Sequence, residues 1–452
     1  MADEVDIVVI GLGPGGEDVA GRLAEAGLSV AAAESRLVGG ECPYYACIPT
    51  KMMVRAAGLL AEGGRVPGMA GEASVRADWA PVAARIRDEA TDSWDDKVAA
   101  DRLTGKGVEL VRGEGRITAP GEVTVNGRVF RARRGIVLNT GTSPAAPPVD
   151  GLAGVPYWTN REAVQATRAP ESLLVLGGGV VGAEMAQVFS RFDCRVTVVE
   201  AADRLLLNEE PESGELLREV FEREGIGVRT GVNVTAVSHE NDEFTMHLGD
   251  ESLTAERLLV ATGRRPNIKG LGLEHVGLDE NARSVPVDDR MRAADGVWAV
   301  GDITGKGQFT HVSLYQSAIA ARDILGEEGP PADYRAVPRV TFTDPEIASV
   351  GLTEAQARDQ NLPVRTSLTK LPESSRGWIH KAGNDGFIKL IEHAERGVLV
   401  GATAVGPAGG EILGALAVAV HAETPTAALR TMMYAYPTFH RALEPALAGL
   451  AP

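Results

Sequence analysis

The stretch "VDIVVIGLGPGGEDVAGRLAEAG", Val5 to Gly27, decides the fold. Val5 to Ile10 is a short β-branched run, the composition of a buried strand. Gly11, Gly13 and Gly16 follow at once as G-x-G-x-x-G, and Val19, Leu23 and Ala26 continue at helical spacing. Strand, glycine turn and helix in this order suit a dinucleotide. The first glycine permits the tight turn, the second lets backbone approach a pyrophosphate, and the third allows close helix–strand packing. A second strand, "SVAAAE", ends in Glu34, where a carboxylate can meet a ribose hydroxyl.

The same grammar returns in "SLLVLGGGVVGAEMAQVFSRFDCRVTVVE", with Gly177, Gly179 and Gly182 in the turn and Glu200 ending the second strand. Two such units in one chain imply two dinucleotides. Glu200 would accept from both ribose hydroxyls and repel a 2′-phosphate, which favours NADH over NADPH. Arg204 falls beyond the strand end.

Composition excludes other classes. The net charge of -17 argues against a nucleic-acid binder, whose footprint would be basic. No apolar run is long enough to span a bilayer, so a membrane protein is not expected. The opening "MADEVDIVVI" has neither a basic segment nor a long apolar core for export, and the expectation is a cytoplasmic chain. At 452 residues about three domains are expected.

Two of the three cysteines, Cys42 and Cys47, lie in "GGECPYYACIPTK", just after the first unit. A metal clip, a structural bridge and a redox pair are the alternatives. In a reducing compartment a close pair is more often catalytic or metal-binding than structural. Zinc would need further ligands, and neither a second Cys pair nor a His pair is near in sequence. Redox chemistry moves ahead. Such a pair must exchange electrons with a carrier of two at once; flavin is one, and nicotinamide supplies the hydride. FAD is therefore assigned to the first unit. Cys194 stands alone before a strand and reads as a small buried apolar residue.

Together with C-x4-C-x-P-T-K, four further segments carry a resemblance: "LNTGTSP" (Leu138 to Pro144), "ATGRRPN" (Ala261 to Asn267), "VWAVGDIT" (Val297 to Thr304) and "FTDPEIASVGLTEAQA" (Phe342 to Ala357). On them the chain resembles the pyridine nucleotide-disulfide oxidoreductases, which include dihydrolipoamide dehydrogenase, glutathione reductase and mercuric reductase. The resemblance implies an α/β fold with two Rossmann-like dinucleotide-binding domains and a C-terminal α+β dimerisation domain, hence a homodimer. The boundaries expected are 1–146 and 267–335 for the FAD domain, 147–266 for the NAD domain and 336–452 for the interface domain. It further implies that Gly11, Gly13, Gly16 and Glu34 hold the FAD adenosine half, that Asp302 binds the ribityl chain, and that Thr140 and Gly141 close over the flavin. Gly177, Gly179, Gly182, Glu200 and Gly263 are assigned to NAD. Cys47 would be the charge-transfer thiolate and Cys42 the attacking sulfur. Lys51 would sit by the flavin, paired with Glu184. The sequence has no vicinal Cys pair near its C-terminus, which argues against mercuric reductase.

One departure stands out. Disulfide-reducing members carry H-P-T-x-x-E near the C-terminus, and the His-Glu dyad of one subunit faces the cysteines of the other. Here "MYAYPTFHRALEPAL" places Tyr436 at the His position and Arg441 at the Glu position. Tyrosine, with an unperturbed pKa of about 10, is a poor base at neutral pH. His440 and Glu444, spaced i, i+4 after a Thr438 cap, form a candidate displaced dyad. Alternatively Tyr436, with Tyr434, Tyr44 or Tyr45, lines a pocket for a flat quinone. The aromatic replacement also resembles 2-ketopropyl-coenzyme M oxidoreductase/carboxylase, a thioether-cleaving member that prefers NADPH. The leading expectation is an enzyme passing electrons from NADH through FAD to the Cys42–Cys47 disulfide and on to a small-molecule acceptor. Quinone reduction, thioether cleavage and a non-catalytic flavoprotein subunit are the alternatives.

Overall fold

Val5 to Ile10 form the buried part of the strand β1 (Asp3–Ile10), followed by the helix α1 (Pro14–Glu25) and the strand β2 (Val30–Glu34). In the computed structural model, which describes residues 2–451, the chain folds as two compact units. The first comprises Met1–Thr50, Ala84–Ala145 and Arg264–Tyr334. Its eight-stranded sheet runs Arg292–Ala294, Val297–Ala299, Arg128–Leu138, β1, β2, Val108–Arg112, with the hairpin Gly115–Ala119/Glu122–Val125 attached through Arg128–Leu138. The strands from Val297–Ala299 to Val108–Arg112 are parallel, so the turn after β1 opens at their carboxyl ends.

One face of this sheet packs Val19 and Leu23 of α1 with Ile319 of the helix Thr310–Leu325. The other buries Ile117, Phe130 and Ile303. Both faces are covered, as a parallel sheet requires.

The second unit comprises Lys51–Ala83, Ala146–Gly263 and Arg335–Pro452. The helix α2 (Cys47–Arg65) contributes most of its length here. The second glycine unit yields the strand β3 (Ser172–Leu176), the helix α3 (Val180–Ser190) and the strand β4 (Arg195–Val199). They sit in a four-stranded parallel sheet ordered Gly227–Arg229, β4, β3, Arg257–Val260. A separate core forms where the five-stranded antiparallel sheet of residues 338–406 packs against the helices Gly409–His421 and Leu443–Ala448. The architecture is α/β with an α+β C-terminal part. Among the described residues no helix is long and apolar enough to cross a membrane.

Candidate active site

The glycine turn of the first unit is built by close approach. Gly11 lies at φ 92°, where a Cβ would stand 2.4 Å from the Asn139 carbonyl oxygen. A Cβ on Gly16 would stand 2.0 Å from the Gly11 carbonyl oxygen, so the helix can press on the strand only with glycine there. Gly13 is the N-cap of α1, where the Asn139 side-chain oxygen accepts from Gly16 N–H at 2.9 Å, and the positive end of the helix dipole favours an anion. Glu34 is buried and accepts from Leu12 N–H and Arg36 N–H, both at 2.7 Å. Burial pushes its carboxyl up, and the two N–H donors oppose that shift.

The second turn repeats the design. A Cβ on Gly177 (φ 111°) would stand 2.5 Å from the Ala261 carbonyl oxygen, and one on Gly182 1.9 Å from that of Gly177. Gly179 caps α3 with no side-chain bond. Glu200 accepts from Gly178 N–H at 2.6 Å and Ala202 N–H at 2.8 Å. Arg204 donates to the Leu207 carbonyl at 3.0 Å. Gly263 takes φ 129° in open space.

Thr140 Oγ1 donates to the Asn267 carbonyl at 2.6 Å, and Asn267 N–H donates to the Gly141 carbonyl at 3.0 Å. Asp302 accepts from Thr142 Oγ1 at 2.7 Å, and Arg264 Nε donates to that same hydroxyl. Burial pushes the Asp302 carboxyl above the ordinary range against those donors. The N-terminus of α1, Glu34, Asp302 and the Thr140–Asn267 contact supply a donor and acceptor set that fits FAD. Asn139, Thr142 and Asn267 lie inside the segments quoted above, but sequence alone did not single them out. Their partners are more than 100 residues away, so only the fold brings them in.

Cys42 lies in the short helical turn Glu41–Tyr44, and Cys47 opens α2. Both stand as half-buried thiols. The Cys42 thiol is pushed up first by its hydrogen bond to Cys47 and then by burial, while Thr310 opposes the shift. Thr310 Oγ1 lies 3.4 Å from Cys47 Sγ, at the first residue of the helix Thr310–Leu325. Sequence reasoning missed it because nothing local marks a threonine 263 residues from its cysteine. Cys194 is buried, and burial followed by the Glu256 charge pushes its thiol up to about 12, which makes it inert.

In the second unit Lys51 Nζ and Glu184 Oε2 are 2.5 Å apart. Glu184, 4% exposed, accepts from Phe342 N–H at 2.8 Å with its other oxygen, and the Lys51 ammonium lies 4.8 Å from the Phe342 ring centroid. A carboxylate and an aromatic face thus fix one ammonium.

The C-terminal segment corrects one expectation. Thr438 does not cap a helix; its hydroxyl donates to the Ala435 carbonyl at 2.7 Å. His440 begins a short 3-10 turn, and α-helix follows only from Leu443. Glu444 is turned to Arg441, with Arg441 Nη2 at 2.7 Å, while the His440 ring lies 6.1 Å from that of Tyr434. The stronger cation takes the carboxylate. The Arg441 guanidinium also lies 5.0 Å from the Tyr436 ring centroid, and Tyr436 is 67% exposed.

Residues 5–321 match the pyridine nucleotide-disulphide oxidoreductase family, and residues 337–447 match its dimerisation domain. A dihydrolipoyl dehydrogenase from Thermus scotoductus is 34% identical, over 98% of this chain and 97% of its own. A mercuric reductase from Acidithiobacillus ferrooxidans is 32% identical, over 98% and 82%. Among solved structures, the HOCl-induced flavoprotein disulfide reductase RclA from Escherichia coli has a TM-score of 0.86 at 26% identity, covering 98% of this chain and 99% of that one. LpdA from Mycobacterium tuberculosis has a TM-score of 0.86 at 26% identity and full coverage of both chains, 100% each. With two matching glycine turns, a close thiol pair and a dimerisation domain, the chain is a flavin-dependent, NAD(P)H-using enzyme and belongs to the pyridine nucleotide-disulphide oxidoreductase family.

Proposed function

We propose that this enzyme takes its reducing equivalents from NADH and delivers them, through the Cys42–Cys47 pair, to a small-molecule disulfide or other thiol-reactive acceptor, acting as a homodimer. FAD, when bound, supplies two-electron transfer between the nicotinamide and the disulfide. The observation that carries the reading is the placement of the thiol pair: Cys47 opens α2 with Thr310 Oγ1 3.4 Å from its sulfur, and Cys42 lies in the short helical turn just before it. That placement supports Cys47 at the head of α2 as the thiolate, favoured by the helix N-terminus. Cys42, once deprotonated, is then the sulfur that attacks the acceptor. Lys51, fixed by Glu184 and Phe342, holds positive charge for the reduced state. Glu200, aimed at its own glycine turn, supports the preference for NADH by repelling a 2′-phosphate.

Tyr436 and Arg441 stand where the proton-transfer dyad would be. An exposed phenol ring backed by a guanidinium is a surface for a flat acceptor, and this favours quinone reduction as the second reading. The test reduces the enzyme anaerobically with NADH and then mixes it with lipoamide or with a naphthoquinone, following flavin absorbance. Fast reoxidation by lipoamide, lost in Cys42→Ser, is the expected result. Reoxidation by quinone alone, equally fast in Cys42→Ser, would overturn it in favour of the second reading.

A further inference from the structure

Three consecutive residues outside the glycine turns adopt the left-handed conformation: Asp92 (φ 47°), Ser93 (φ 56°) and Trp94 (φ 60°). None is glycine, so each adopts this conformation at a cost in free energy. The turn begins where the π-helical segment Ile86–Ala90 ends, and buried Thr91 fastens it. Thr91 Oγ1 donates to the Ile86 carbonyl at 3.0 Å and accepts from Trp94 N–H at 3.3 Å.

Two bonds run from this turn and the residues just after it to the segment that carries the cysteines. The Trp94 indole N–H donates to the Tyr44 carbonyl at 3.2 Å, two residues after Cys42 and three before Cys47. Buried Asp96 accepts from Val38 N–H at 2.6 Å, four residues before Cys42. Arg112 grips Asp96 with two bonds, at 2.6 and 2.8 Å, and reaches the Arg36 carbonyl at 3.0 Å. The cysteine loop is therefore held on both sides of Cys42, by the last residue of the left-handed turn and by Asp96 two residues beyond it.

We propose that Trp94 and Asp96 are positioning residues for the redox pair, holding the two sulfurs at the separation their hydrogen bond needs. The proposal rests on the reading of Cys42 and Cys47 as that pair. Its direction follows from chemistry. A clamp that holds two thiols near each other raises their effective concentration and so favours the disulfide. Without it the dithiol gains conformational freedom that the S–S bond still denies to the disulfide. Removing the clamp therefore favours the dithiol over the disulfide.

The test equilibrates the FAD-loaded protein with glutathione buffers, quenches it with acid, alkylates it and measures the Cys42–Cys47 disulfide fraction by mass spectrometry. The reaction is closed: the disulfide and two glutathiones give the dithiol and one glutathione disulfide. Trp94→Phe, which keeps a ring and removes the donor, shifts the equilibrium about fivefold toward the dithiol, the factor for one lost hydrogen bond. Asp96→Asn shifts it the same way and serves where Trp94→Phe does not fold. Ser93→Gly relieves the left-handed cost without touching either anchor; it raises the melting temperature and leaves the equilibrium at the wild-type value. An unmoved equilibrium in both Trp94→Phe and Asp96→Asn, or a shift in Ser93→Gly that tracks stability, overturns the clamp. A wild-type pair that never exchanges with glutathione overturns the clamp and the redox reading together.

Discussion

A carboxylate turned into a cofactor cradle is held for its ligand, and the FAD-free chain bears the cost. Asp302 accepts from a threonine hydroxyl and has Arg264 as a nearby cation, but burial outweighs these and raises its carboxyl pKa. A folded-state value above the unfolded one means that its stability contribution is complete below the unfolded value. That contribution is lost as pH rises through the folded value. Above the folded value the FAD-free protein therefore carries a destabilising charge. Asp302→Asn raises the melting temperature of the FAD-free protein, equivalent to about 1 kcal/mol, and the gap closes as the pH falls. The same substitution lowers FAD retention on gel filtration. Equal melting of the two FAD-free proteins above the folded value would show that the burial cost is absent.

Among the elements, the strand Phe387–His393 carries the least legible feature. Lys389 is buried, with Glu210 at 2.9 Å, Glu212 at 2.7 Å and Glu354 at 3.1 Å. Burial pushes its pKa down, but the hydrogen bonds to Glu212 and Glu210 overcome this and hold it above the ordinary value. The ammonium thus stabilises the fold up to the unfolded value and loses that role as pH rises through the folded one. Lys389→Met leaves three carboxylates facing one another and costs about 3–5 kcal/mol in urea unfolding. Adding Glu210→Gln recovers part of the loss; no recovery would mean that repulsion is not the cause. The glycine turns were legible because strand, turn and helix are contiguous in sequence. Lys389 was not, because its partners arrive from 179, 177 and 35 residues away. Trp94 was hidden for another reason: a left-handed turn without glycine leaves no signature. The Thr438 cap failed because its hydroxyl found the Ala435 carbonyl first.

For the molecule as a whole, the dimerisation domain carries the consequence. In the single chain Met433 is 98% exposed, Trp378 76% and Tyr436 67%, and all three lie within the segment that matches the dimerisation domain. Residues 337–447 match the family's dimerisation domain, so a second copy of the chain is the expected cover. The overall architecture could be read from sequence because its motifs are contiguous. Tyr436 and Arg441 could be picked out in the C-terminal segment, but the stacking of the Arg441 guanidinium on the Tyr436 ring could not. Met433→Asp places a charge on that surface, and a charge buried without a partner is not tolerated. The variant should sediment as a monomer that still binds FAD and still bleaches with NADH, because both glycine turns lie outside residues 337–447. If a second subunit completes the acceptor site, the variant should also lose acceptor turnover. A monomer that keeps full turnover would show that acceptor chemistry needs no residue from a second subunit, and the search for the proton donor would move to groups beside Cys42 on the same chain.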